Sequence, residues 1–136
     1  MAKIIALDIG GKRTGVAETD PLQIIATPRE TIATETLLAF LTQCFANERY
    51  EAIVLGDPKN LDGGDSDNSV RVRQIHEKLK IAFPTKELIL IDERFTSKMA
   101  LQSLVTSGVK KKKRQQKGEI DMVSAAIILE SYLNSK

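Results

Sequence analysis

Tryptophan is absent from the 136 residues, and cysteine and histidine occur once each, as Cys44 and His76. A lone cysteine excludes an intrachain disulfide and any multi-cysteine zinc or iron–sulfur site. A lone histidine excludes mechanisms built on a histidine pair. With four Phe and two Tyr as the whole aromatic complement, the core must be assembled from Ile, Leu, Val and Ala. The opening Met-Ala-Lys-Ile-Ile-Ala-Leu is interrupted by a charge at Asp8, so neither a signal peptide nor a membrane span is expected. Hydrophobic residues at 42% and charged residues at 28% place the chain in the globular class rather than the disordered or fibrous ones. The length suits one compact domain over 1–136, expected to be cytoplasmic and to have no membrane partner.

Net charge is nearly balanced at +2, but its distribution is not. Lys110, Lys111, Lys112, Lys113, Arg114 and Lys117 fall within eight residues that hold no acidic side chain. The other 128 residues carry 14 basic against 18 acidic groups. A uniformly basic nucleic-acid coat is therefore excluded. What is present is one concentrated positive segment, able to attract phosphates by counterion release or to stand as a solvated loop.

Residues 3–9 alternate Ile4, Ala6, Asp8 with Ile5, Leu7, Ile9, which predicts a strand buried on both faces. Gly10-Gly11-Lys12-Arg13 reads as a tight turn, and residues 14–18 and 23–32 as two more strands of an antiparallel meander. The period then changes to helical over 34–49, with Leu37, Leu41, Cys44 and Phe45 on one stripe. A short strand at 52–56, a polar loop at 57–68, a helix carrying Val72, Ile75 and Leu79, and a strand at 88–92 follow. A helix begins near Thr96 or Ser97 and ends at Gly108, and a final helix covers 119–133. The fold class expected is α/β: a mixed five-stranded sheet with helices packed on it.

Several chemistries fail on these residues. Cys44 lies on the apolar stripe of its helix, as a buried and inert thiol. His76 stands on a helix with no nucleophile near it in sequence. Gly10 and Gly15 have the spacing of a phosphate-binding loop, but Val16 and Ala17 stand where Lys and Ser/Thr are needed. Residues 65–68 resemble the start of a calcium loop but lack its later glycine and glutamate.

Carboxylates survive. Asp8 ends the first strand, Glu93 follows the last one, and Asp121 opens the final helix on a stripe with Ala125, Ile128 and Tyr132. Ligand sites in α/β sheets lie outside the carboxyl ends of the strands, where Asp8 and Glu93 fall. Three carboxylates converging there would hold one or two Mg²⁺ or Mn²⁺ ions. Two such ions about 3.5–4 Å apart clamp a phosphodiester, and no histidine base is then required. Each residue also has an ordinary role open to it: Asp121 at the helix dipole, Asp8 on the glycine turn, Glu93 paired with Arg94.

Four blocks in order carry a resemblance over nearly the whole chain. They are Ala6-Leu7-Asp8-Ile9-Gly10 with Lys12-Arg13-Thr14-Gly15-Val16-Ala17, then Gly56-Asp57-Pro58 with Asn60 and Asp62-Gly63, then Asp92-Glu93-Arg94-Phe95-Thr96-Ser97, then Lys117-Gly118-Glu119-Ile120-Asp121 with Ala125-Ala126 and Ile128-Leu129. The sequence resembles the YqgF (RuvX) family of RNase H-like nucleases. The resemblance implies a metal-dependent endonuclease using Mg²⁺ or Mn²⁺, with Asp8, Glu93 and Asp121 as catalytic acidic triad and metal ligands. It implies 5′-end maturation of precursor 16S ribosomal RNA, on the free RNA or the ribosomal particle, with products carrying 5′-phosphate and 3′-hydroxyl ends. An older family assignment is Holliday junction resolvase, acting on branched DNA. The chain departs from the family pattern at Asp57, where leucine is usual, and mildly at Phe95.

Beside that frame, Lys12 and Arg13 are candidates to hold a phosphate near the metals. Arg94 is assigned to phosphate or to bracing Asp92, Lys117 to neutralising Asp121 or substrate, and Lys110–Arg114 to a substrate arm. Thr96 and Ser97 are helix caps. Two other readings stand beside the enzyme: a nucleic-acid-binding module of this fold without cleavage, and, more distantly, an actin-like nucleotide-binding fragment. Residue types alone leave oligomeric state open.

Overall fold

The computed structural model describes residues 2–57, 67–92 and 117–135. Among these, five strands form one sheet: β1 (Lys3–Ile9), β2 (Arg13–Thr19), β3 (Ala26–Ala33), β4 (Tyr50–Asp57) and β5 (Glu87–Asp92). Their order across the sheet is β3-β2-β1-β4-β5. The β1–β2 and β2–β3 pairs are antiparallel, whereas β4 joins β1 and β5 joins β4 in parallel. The mixed five-stranded sheet expected from the sequence is thus formed, with the RNase H-like sequence of a meander followed by parallel strands.

Among the described residues, three α-helices cover it: α1 (Leu37–Asn47), α2 (Asp67–Ala82) and α3 (Lys117–Ser135). The period-two alternation of β1 assigns its residues to two cores. Ile5, Leu7 and Ile9 join Val16, Ile53 and Leu55 under α1 and α2, packed on Leu37, Leu41, Cys44, Val72 and Leu79. Ile4 and Ala6 join Ala17, Ala52 and Val54 under α3, packed on Ala125, Ala126, Ile128 and Leu129. The two faces differ in size. Large aliphatics fill the α1/α2 side, while small Ala and Gly dominate the α3 side and let that helix lie close. Residues 124–129 of α3 are all buried, so the helix runs through the core rather than along its surface.

Three sequence expectations shift. The third strand begins at Ala26, not at Gln23, because Asp20 captures the preceding backbone: its Oδ1 accepts from the Ile24 and Ile25 N–H groups and its Oδ2 from Leu22. Gln23 takes a positive φ of 58° within that turn. The helix expected over 34–49 is divided into a 3₁₀ turn at Thr34–Thr36 and α1. Asp57, expected to open a loop, is the last residue of β4 and is 5% exposed, because pairing with β5 extends to Asp57 opposite Asp92. The helix expected between about 96 and 107 lies outside the described residues.

Candidate active site

Asp8 shares the strand face of Ile4 and Ala6, so it projects to the α3 side. Directly across the ladder from it stands Gly15. A Cβ placed on Gly15 would lie 2.0 Å from the Asp121 carbonyl oxygen and 2.7 Å from the Met122 nitrogen. The start of α3 therefore rests on β2 backbone at Gly15, a contact open only to a residue without a side chain. Gly15 thus stands between Asp8, its partner across the ladder, and the Asp121 backbone, near the carboxyl end of the central strand. Asp8 is half-buried, and the Asp121 side chain keeps 26% of its surface.

The turn between β1 and β2 is fixed from two sides. The Gly10 N–H donates to the Arg13 carbonyl at 2.9 Å, and a Cβ on Gly10 would sit 2.7 Å from that same oxygen. Thr34 reaches across from the start of the 3₁₀ turn: its hydroxyl donates to the Gly10 carbonyl at 2.7 Å and its N–H to the Lys12 carbonyl at 3.0 Å. Since that hydroxyl proton is committed, the buried Thr14 hydroxyl is the donor in the 2.9 Å contact between the two threonines. The turn thus presents Lys12 and Arg13 from a held backbone.

Arg13 lies two residues from Gly15 on the same strand face, and its Nε donates to Oδ2 of Asp121 at 3.2 Å. Arg13 thus neutralises Asp121; the side chain of Lys117, assigned from sequence to that carboxylate or to substrate, lies outside the described residues. The pair is half-exposed and contributes only about 0.2–1 kcal/mol, so its consequence is to orient the carboxylate. Gly10, Gly11, Lys12, Arg13 and Asp121 line an open cleft of about 370 Å³.

Of the residues singled out from sequence, Lys12, Arg13 and Asp121 line this cleft, and Asp8 stands opposite Gly15, against which the Asp121 backbone packs. Glu93, Arg94 and Lys110–Arg114 lie outside the described residues, and Lys117 is placed on α3 by its backbone alone. Sequence reasoning missed Thr34, whose partner is 24 residues away, and two arginines of α2. Arg71 approaches Gly11, and Arg73 Nη2 lies 3.8 Å from the Asp57 carboxylate. The α2 periodicity read Val72, Ile75 and Leu79 as a core stripe but carried no signal for the residues flanking it.

Among the described residues no cluster of three His, Cys, Asp or Glu is assembled. Asp8 and Asp121 are hard, oxygen-only donors, and Asp121 lines the solvent-open cleft. That donor set fits Mg²⁺ or Mn²⁺, since Mg²⁺ in particular keeps several waters and binds through one or two carboxylates plus substrate phosphate. No helix among the described residues is long and apolar enough to cross a membrane.

A family model described as RuvX, Holliday junction resolvase, matches residues 2–135. A protein of Flavobacterium johnsoniae, named "Putative pre-16S rRNA nuclease", is 46% identical over 136 residues, covering 100% of this chain and 99% of its own. Proteins of the same name from Christiangramia forsetii and Porphyromonas gingivalis are 45% and 44% identical, each covering 98% of its own length and 98% and 99% of this chain. Among solved structures, YeaZ from Pseudomonas aeruginosa aligns with a TM-score of 0.48 at 17% identity, over 79% of this chain and 50% of its own. With its model matched almost from end to end, and relatives above 40% identity over their full length, this chain belongs to the RuvX family.

Proposed function

We propose that this protein is a divalent-metal-dependent endonuclease that hydrolyses phosphodiester bonds in precursor 16S ribosomal RNA. The observation that carries the reading is the placement of Asp8 and Asp121 on either side of Gly15, beside the basic Gly10–Arg13 turn. The names of the relatives supply the substrate class, and the family description makes branched DNA the competing substrate.

Asp8 and Asp121 would hold Mg²⁺ or Mn²⁺, with Glu93 as the third carboxylate carried by the family motif. When bound, the cations supply Lewis-acid neutralisation of the phosphate and lower the pKa of bound water. Arg13 fixes the rotamer of Asp121, so this carboxylate is oriented before substrate arrives. Lys12, on a turn braced by Thr34, offers an ammonium to a phosphate entering the cleft. Arg94, the Lys110–Arg114 run and Lys117 are proposed as further substrate-binding cations on the strength of their charge and of the motifs that carry them. A cytoplasmic site of action, on the ribosomal particle or its free precursor, accords with that substrate.

The test is cleavage of a labelled precursor 16S fragment and a labelled four-way DNA junction, with Mg²⁺ or Mn²⁺, by wild type and Asp8→Asn. Cleavage of the RNA alone, lost in the variant, is expected. Cleavage of the junction alone would replace RNA by branched DNA. Binding of either without cleavage, on the intact ribosomal particle as well, would leave a binding module.

A further inference from the structure

We infer that Arg13 sets the cation selectivity of this site, by occupying one oxygen of the Asp121 carboxylate and so limiting it to ligation through the other. This rests on the metal-binding part of the function proposed above, and not on which nucleic acid is cut. One strand grips Asp121 at two points. Its carbonyl oxygen lies against Gly15, 2.0 Å from the position a Cβ would take there. Its carboxylate is reached by Arg13, two residues earlier on the same face of β2, whose Nε donates to Oδ2 at 3.2 Å. Backbone and side chain are therefore fixed together, and the carboxylate is held in one orientation. Among the described residues Arg13 is its hydrogen-bond partner, which leaves Oδ1 for a cation entering the cleft that Asp121 lines.

Arg13 is itself held in place. Its carbonyl accepts from the Gly10 N–H at 2.9 Å, and Thr34 fastens the same turn through the Gly10 and Lys12 carbonyls. The two classes of divalent cation need different things from such a carboxylate. Ca²⁺ gathers about six to eight oxygens in a flexible shell and takes carboxylates through both oxygens as well as one. Mg²⁺ demands a near-octahedral shell, keeps several waters and uses only one or two carboxylates, and Mn²⁺ shares the octahedral preference. A donor on Oδ2 removes nothing that Mg²⁺ or Mn²⁺ requires, but it denies Ca²⁺ an oxygen for its larger shell. The positive charge of Arg13 opposes all three ions alike, so the discrimination resides in the occupied oxygen and not in the charge.

The experiment is displacement of bound Mn²⁺ by Ca²⁺ and by Mg²⁺ from the full chain without nucleic acid, read from the spin-resonance signal of released Mn²⁺. Arg13→Met keeps a stem of similar reach and removes both donor and charge. Its affinity for Ca²⁺ should rise about two- to five-fold more than its affinities for Mg²⁺ and Mn²⁺, the size of one half-exposed ion pair. Arg13→Ala serves if Arg13→Met does not fold. Arg13→Gln removes the charge but carries an amide N–H at the same distance along the side chain as Nε. All three affinities should rise together in that variant, with the wild-type ratio of Ca²⁺ to Mn²⁺ largely kept. An unchanged ratio in Arg13→Met would overturn the assignment, as would the same ratio shift in Arg13→Gln as in Arg13→Met. Failure of wild type to bind any of the three ions would overturn it together with the metal reading, whereas Mn²⁺ bound with a ratio indifferent to Arg13 would overturn it alone.

Discussion

The carbonyl oxygen of Asp121 occupies space that any side chain on Gly15 would need, 2.0 Å from its Cβ position. This one contact sets the separation between β2 and the start of α3, and with it the placement of Asp121 relative to Asp8. Gly15→Ala should therefore damage the site and the fold together. Overpacking of a tight core costs about 1–3 kcal/mol, and backbone on both sides leaves little room to yield. The expected result is a clear fall in Tm together with weaker Mn²⁺ binding by calorimetry. A variant with unchanged Tm and unchanged metal affinity would show that α3 is not seated as described.

Thr34 holds the Gly10–Arg13 turn from outside it, through Gly10 and Lys12. Thr34→Val keeps the shape and removes the hydroxyl, leaving the Gly10 carbonyl and the Thr14 hydroxyl each short of a partner. A cost of about 1–2 kcal/mol is expected, with cleavage and RNA affinity both reduced. Thr34→Ser should behave as wild type. Loss of function in the serine variant as well would assign the effect to packing of the methyl group.

Asp57 is 5% exposed at the end of β4, with Arg73 3.8 Å away. Replacing a buried charge by an apolar residue of similar volume is often neutral or stabilising, whereas removing one of its partners leaves the charge less well compensated. Asp57→Leu should match or exceed wild type in urea denaturation. Arg73→Gln should lose about 1 kcal/mol, since its exposed guanidinium is partly screened. The reverse order of stability would contradict this account.

Tyr50 is pushed up to about 12 by burial and then by the nearby Glu18 carboxylate, above the ~10 of an exposed tyrosine. The folded chain holds this proton more tightly than the unfolded one. Its stabilisation is complete below pH ~10 and is lost as pH rises through that value toward ~12. Lys3, raised by its bonds to Glu18 and Glu48, acts in the same direction. Denaturant stability of wild type should fall steeply over this window, and that of Tyr50→Phe less steeply. Parallel declines would mean that Tyr50 does not carry the effect.

Much of the architecture is legible in local pattern. The alternation of β1 assigns Asp8 to the face of Ile4 and Ala6, and the helical spacing of Leu37, Leu41 and Cys44 gives the buried side of α1, with Cys44 in the core. Asp121 on the stripe of Ala125 and Ile128 is likewise fixed by the 3.6-residue period. These features depend only on bond geometry repeated along a few turns, so residue order alone determines them.

What the sequence could not decide is which faces meet and how closely. Arg13 and Asp121 are 108 positions apart, and nothing near either residue announces the pairing. Gly15 reads as an interruption of a strand until α3 is laid across it. Periodicity specifies the face on which a side chain stands, but strand register, helix crossing and the reach of long side chains follow from the simultaneous packing of both cores. The identity of the carboxylates was written in the chain; the positions of Arg13 and Thr34 around them were settled only by the tertiary fold.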